Sequence, residues 1–228
     1  MSHARASHLR LVVNELAPAA RRQPRLRFQP VVRLEDGENF GVHVETDIDF
    51  GDRLAGQDDE ATAAGWLGEL IERAGRLAQT TSVAARPISI NAPLSALSDR
   101  DAPMAAEAGA CRAGLLPQEV RIDFVDATVS ALEDLSFERI DAFRTRGFRV
   151  GLDARRSWKT PMNARARMTF EAVRVDPGCS AALEIPLSRM EVAAAEGVAL
   201  IAENVYWREW DRLSQIGVAF AIAPRTDG

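Results

Sequence analysis

A chain of 228 residues is the right size for a single α/β barrel. Apolar residues at 46% and charged residues at 27% describe an ordinary globular protein, and a net charge of −5 argues against a general nucleic-acid binder. The two cysteines, Cys111 and Cys179, make neither a CxxC pair nor a disulfide framework, no apolar run approaches the ~18 residues that span a membrane, and no signal-peptide pattern is present, so the expectation is a cytoplasmic protein with reduced thiols and no direct membrane insertion.

Residues 1–24 are rich in Arg, Ala and Ser and are expected to form an arm. Leu9, Val12, Val13 and Leu16 give it one stretch of helical spacing, and Arg21, Arg22, Arg25 and Arg27 make a local basic cluster. The remainder, 25–228, reads as one domain. Leu26 to Leu34 and Phe40 to Thr46 read as strands joined by a turn at Asp36-Gly37. Asp58 to Gln79 carries a helical apolar stripe of Ala64, Leu67, Leu70, Ile71, Ala74 and Leu77. Pro87 to Asn91 is strand-like, Ala102 to Ala113 is a looser helix, and Glu119 to Val125 alternates as a strand. Leu132 to Arg146 reads as a helix stopped by Gly147, followed by a strand from Phe148 to Asp153. Ala172 to Asp176, Ala199 to Glu203 and Val218 to Ile222 are short apolar strands, with helices near Leu187 to Ala195 and Tyr206 to Gln215.

Strands alternating with helices predict βαβ units and a mainly parallel sheet, and a count of about eight strands favours a closed barrel whose first pair is an antiparallel hairpin. In such folds the carboxyl ends of the strands carry the chemistry. Those ends hold Asn91, Asp123, Asp126, Asp153, Asp176 and Glu203. A lone acid there is usually a helix cap or a turn former; several in succession would converge on one mouth.

The order of these motifs resembles an EAL domain from about Leu26 to Pro224. Phe28-Gln29-Pro30-Val31-Val32 resembles the opening YQPIV strand of that family, and His43-Val44-Glu45 falls on the E-A-L triplet. Ile88-Ser89-Ile90-Asn91 resembles its SvNlS strand, and Arg121-Ile122-Asp123-Phe124-Val125-Asp126 its lEiTE strand. Phe143 through Asp153 resembles the segment ending in a paired aspartate, Val173-Arg174-Val175-Asp176 the lKiD strand, and Ala202-Glu203-Asn204-Val205-Tyr206 the AEGVE strand. The resemblance implies an EAL-type modified (β/α)8 barrel with an antiparallel first strand. It makes His43, Asn91, Asp123, Asp126, Asp153, Arg174 and Glu203 the remnant of a pocket that in the family binds magnesium or manganese and cleaves cyclic di-GMP.

The departures fall on that chemistry. His43 stands where the family has its metal-binding glutamate, Ala154 replaces the second aspartate, and Asp47 replaces an arginine that grips phosphate. Asp123 and Asp126 are one methylene shorter than glutamate, and Arg174 replaces a lysine and stays charged. The FGTG loop is replaced by Arg155-Arg156-Ser157-Trp158, and the QGY element near the end is missing. Magnesium needs hard oxygen ligands in octahedral geometry. The expectation is therefore a lost magnesium or manganese site, no bound cofactor and no useful phosphodiesterase activity.

Three readings of function follow. The first is an inactive EAL-like domain that binds a protein partner in bacterial signalling, with Trp158, Tyr206, Trp207 and Trp210 as candidate docking residues and homodimerisation left open. The second is a receptor that holds cyclic di-GMP without cutting it, with Arg155 and Arg156 as replacement phosphate contacts. The third is a residual metal-dependent phosphodiesterase. His43, Asp123, Asp153 and Glu203 could make a mixed nitrogen and oxygen site for zinc or manganese, or His43 could simply be a hydrogen-bonded histidine in a filled mouth.

Overall fold

The computed structural model describes residues 25–46, 65–92, 95–178 and 187–222. The expected arm, Asp47, the 58–64 part of the first helix, Cys179 and Pro224 lie outside the described residues, as does the side chain of Trp207.

Eight strands close into a barrel in chain order. They are β1 (Leu26–Arg33), β2 (Asn39–Thr46), β3 (Ile88–Asn91), β4 (Val120–Val125), β5 (Arg149–Asp153), β6 (Ala172–Val175), β7 (Ala199–Ala202) and β8 (Phe220–Ile222). The strand β1 is antiparallel to both β2 and β8, and all the other pairings are parallel. The reversal comes from the tight turn after β1, where Gly37 sits at φ 75°, a conformation that costs glycine little. It brings the start of β1 beside the end of β2, with Leu26 opposite Thr46.

The helices pack on the outside: α1 (Trp66–Thr80), α2 (Ser95–Ser98), α3 (Ala102–Arg112), α4 (Asp126–Thr145), α5 (Ala164–Thr169), α6 (Leu187–Ala195) and α7 (Trp210–Gln215). The α1 stripe buries Leu67, Leu70, Ile71, Ala74 and Ala78. Its closest neighbour is α3, whose small residues read only as a loose helix in the sequence. A Cβ on Gly68 would come within 2.2 Å of the Ala105 carbonyl, and one on Gly109 within 2.0 Å of the Gly68 carbonyl. The two backbones touch there, so α3 contributes shape rather than a strong apolar stripe.

Two helical expectations need correction. The α4 helix begins at Asp126, directly off β4, and not at Leu132. Val129 is the one apolar residue buried in its first two turns, so periodicity had little to register. The helix kinks at Glu133 (φ 46°, ψ −126°). The expected helix over Tyr206 to Gln215 is a 3-10 turn at Trp207–Glu209 followed by the short α7.

Strand alternation divides the core in two. Outward residues such as Ile88, Ile90, Ile122, Phe124, Val150, Leu152, Val173 and Leu200 pack against the helices. Inside, Val31, Ala172, Ile201 and Ile222 form an apolar plug, with Phe40 and Phe220 stacked beside it at 4.1 Å between centroids. Two residues further toward the carboxyl ends, the inward positions turn polar.

Candidate functional site

The inward positions nearest the mouth are His43 on β2, Ser89 and Asn91 on β3, Arg121 and Asp123 on β4, Asp153 on β5 and Arg174 on β6, with Glu203 just past β7. Each strand supplies a residue two positions from an apolar or small one, because strand side chains alternate between faces. Nearly all are buried: His43 is 3% exposed, Arg121 and Arg174 1%, Asp123 0%, Asp153 6% and Glu203 7%. Two arginines and three carboxylates thus meet out of water, which is tolerable only if each charge is paired and hydrogen-bonded.

They are. Arg174 is the hub. Its Nη1 donates to Asn91 Oδ1 and to Asp123 Oδ2 at 3.2 Å. Its Nη2 donates to Glu203 Oε1 and lies 3.2 Å from His43 Nε2. Arg121 holds Asp123 from below, through Nε to Oδ1 at 2.9 Å and Nη2 to Oδ2 at 3.4 Å. Arg155 reaches in from the loop after β5. It grips Asp153 in a two-pronged bond of 2.8 and 2.7 Å and bonds Glu203 Oε2 at 2.8 Å. Gly151 makes room for the lower pair, since a Cβ there would lie 2.3 Å from Asp123 Oδ1.

The partners also fix the state of His43. A guanidinium only donates, so Nε2 must accept from Arg174. The hydroxyl of Ser89 donates to the Val42 carbonyl at 3.3 Å, so Nδ1, 3.1 Å from Ser89 Oγ, carries the proton. Burial, and then the nearby charges of Arg174, Arg155 and Arg121, push the His43 pKa well below 6.5, so the ring is neutral. For Asp153 burial works to raise the pKa, but the Arg155 hydrogen bond and the charges of Arg174 and Arg155 prevail and hold it below 3.8. Burial and the neighbouring Arg155 lower Arg174 to about 10, which leaves it charged at neutral pH.

The residues expected at the site separate into groups. His43, Asn91, Asp123, Arg174 and Glu203 come together around the Arg174 guanidinium, and Asp153 joins them through Arg155. Asp126 does not join them. Its carboxylate accepts from Ser157 Oγ at 2.8 Å and from the backbone N–H of Lys159 and Thr160 at 2.7 and 2.8 Å, so it clamps the loop after β5. Arg155 lies at the mouth, but Asp153 and Glu203 hold its guanidinium; Arg156 is exposed on the loop. Trp158 is 4% exposed beneath the guanidinium of Arg189, so it is core and not a docking anchor. Trp210 is half-buried against the core, while Tyr206 is 55% exposed with Arg208 over its ring. Among the described residues no group of three or more His, Cys, Asp or Glu side chains is placed to hold a metal ion, the set His43, Asp123, Asp153 and Glu203 included. Arg121 and Ser89 are site residues that the sequence reading missed. Both lie two residues before a recognised site residue on the same strand, which puts them on the same inward face, and for Arg121 a charge at that position was the signal available.

The barrel has the EAL-domain fold. Solved structures similar to it include a PaMucR phosphodiesterase in complex with c-di-GMP, at 15% identity and a TM-score of 0.72, covering 89% of this chain and 94% of that one. The EAL domain of Mycobacterium smegmatis DcpA matches at 16% identity and a TM-score of 0.67, covering 88% and 90%. A standalone EAL protein from Vibrio cholerae, bound to c-di-GMP, matches at 19% identity and a TM-score of 0.67, again covering 88% and 90%. No family model matches the sequence, and no curated protein matches it. Among the described residues no helix is long and apolar enough to cross a membrane.

Proposed function

We propose that this chain is a divergent EAL domain that has exchanged metal-dependent hydrolysis for binding, and that it works as a protein-interaction module in bacterial signalling. The observation that carries this reading is the wiring of Asp123, Asp153 and Glu203 to Arg121, Arg155 and Arg174. Magnesium or manganese would need about six ligands, mostly oxygen, at about 2.1 Å. Here all three carboxylates are already engaged by guanidinium groups, Asn91 Oδ1 accepts from Arg174, and both nitrogens of His43 are taken. A divalent cation would also have to sit beside Arg174, a fixed positive charge. The donor set does not fit the metal.

The same wiring bears on c-di-GMP, which two of the similar structures contain. A phosphate entering this mouth would have to take Arg155 from Asp153 and Glu203, leaving two buried carboxylates short of a partner. That cost supports protein binding over nucleotide binding. The test is incubation of the purified chain with c-di-GMP and millimolar manganese or magnesium, with product read by chromatography, alongside calorimetric titration of the nucleotide. No product and no heat are expected. Metal-dependent product would refute the loss of hydrolysis, and micromolar binding without product would make the chain a nucleotide receptor instead.

A further inference from the structure

Arg155 differs from the other arginines of the mouth. Arg121 and Arg174 stand on barrel strands and are 1% exposed at the side chain. Arg155 stands on the loop after β5 and is 27% exposed, while the two carboxylates it holds, Asp153 and Glu203, are 6% and 9% exposed. Its guanidinium uses all three nitrogens. Nε and Nη2 meet the two oxygens of Asp153 side-on at 2.8 and 2.7 Å, and Nη1 meets Glu203 Oε2 at 2.8 Å. Two carboxylates from either side of β6 thus form a seat with the shape of a guanidinium, and the chain supplies the occupant itself.

The loop behind Arg155 is fastened separately. Asp126 accepts from Ser157 Oγ and from the backbone N–H groups of Lys159 and Thr160, and Trp158 and Thr160 are 4% and 2% exposed. Release of the Arg155 side chain therefore needs rotation about its own bonds and no movement of residues 157–160. It would leave Glu203 bonded to Arg174, and Asp153 with the backbone N–H of Arg155 at 3.2 Å. The seat then selects its next occupant by chemistry. A phosphate is repelled by both carboxylates, and a divalent cation would sit beside the fixed charge of Arg174. An ammonium group cannot reproduce a planar fork. A second guanidinium remakes all three bonds, keeps both carboxylates paired and carries the charge that the network already accommodates.

We propose that Arg155 is an autoinhibitory latch: it fills a guanidinium seat between Asp153 and Glu203 that an arginine side chain of a partner protein takes in its place. The proposal rests on the protein-interaction reading above and gives it a location and a partner chemistry. A group tethered so close to its acceptor competes at an effective concentration of about millimolar or more. Free arginine therefore does not displace it, and an arginine held in place by a partner's other contacts does. A further contact of Arg155 adds to that hold.

The test uses the full chain, with N-acetyl-arginine amide as the probe and the matching lysine amide and sodium chloride as comparisons, read by thermal melting. The wild-type chain is expected to show no shift beyond that of sodium chloride. Arg155→Ser is expected to melt lower and to be raised again by the arginine amide, saturably and in the millimolar range, with the lysine amide at least fivefold weaker and manganese without effect. An arginine amide that leaves the variant unmoved or shifts both proteins equally overturns the seat. So does a lysine amide that matches it, or manganese that outdoes both. If Arg155→Ser does not fold, hydrogen exchange of the wild-type chain decides. The N–H of Arg155 is expected to be at least tenfold less protected than those of Lys159 and Thr160, which the clamp holds, and equal protection overturns the latch. Failure of the arginine probe leaves the protein-interaction reading standing, whereas turnover of c-di-GMP sinks that reading without touching the seat.

Discussion

Replacing Arg174 with Met tests whether the mouth is held by its built-in cation. The side chain is 1% exposed, and it bonds Asp123 and Glu203, which are themselves 1% and 9% exposed at the side chain. Removing one partner of a buried ion pair typically costs about 3–5 kcal/mol, because the remaining charge stays desolvated. Two features pull the figure to the lower end, since Asp123 keeps Arg121 and Glu203 keeps Arg155. The lost donors to Asn91 and His43 push it back by roughly 1 kcal/mol each. A cost of about 3–5 kcal/mol is expected, which for a chain of this size lowers the melting temperature by roughly 6–20 °C. Urea unfolding and thermal melting followed by circular dichroism measure it. The variant should also respond to manganese, which wild-type protein should ignore, because Glu203 Oε1 and Asn91 Oδ1 are released toward the vacated centre and the central positive charge is gone. Stabilisation then grows with metal concentration relative to the dissociation constant, reaching about 2.7 kcal/mol at a hundredfold excess. Arg174→Lys should recover only part of the loss, since an ammonium group cannot span four partners. A variant within about 1 kcal/mol of wild type, or a wild-type chain stabilised by manganese as much as the variant, would refute the reasoning.

Two further outcomes follow from the same geometry. The unfolded chain takes up a proton on His43 near pH 6.5, while the folded chain resists it, so stability is complete above that pH and declines as pH falls below it. Urea titrations from pH 7.5 to about 5 should show a slope approaching 1.4 kcal/mol per pH unit that His43→Gln removes, and equal slopes in the two proteins would count against a buried neutral ring. Asp153 does not confuse that window, because its pKa is lowered from 3.8, so its contribution is fully present across the window and is lost only as pH falls below 3.8. Asp126→Ala should free the loop it clamps and cost about 2–4 kcal/mol, one buried carboxylate and three bonds being lost. Lys159 is the single lysine of the chain, so a lysine-specific protease reports on this loop alone; faster cleavage at that bond is expected, and an unchanged rate would refute the clamp.

The fold was legible because it rests on periodicity. All eight strands stand within a residue or two of where alternation put them, and the turn at Asp36-Gly37 announced the reversed first strand. Where the pattern was faint the reading slipped: α4 starts six residues early because Asp126 to Ala131 buries Val129 alone among its apolar residues, and α3 reads weakly because it packs through Gly109 and small neighbours. The strand ends pointed to Asn91, Asp123, Asp126, Asp153, Asp176 and Glu203, and the resemblance to EAL domains added His43 and Arg174. For Arg174, residue order does not say which groups it will meet, since its partners Glu203 and His43 lie 29 and 131 positions away. Asp126 and Asp153 look alike on paper, yet one clamps a loop and the other holds Arg155, because β4 passes straight into α4 while β5 ends in a turn. The sequence by itself determined the barrel and most of the residues at its mouth, for alternation and length are local properties. Only the tertiary structure decided that Arg174 meets Asp123 and Glu203 and that Arg155 also reaches Glu203, because pairing these charges is a matter of distance between strands that the chain brings together only when the barrel closes.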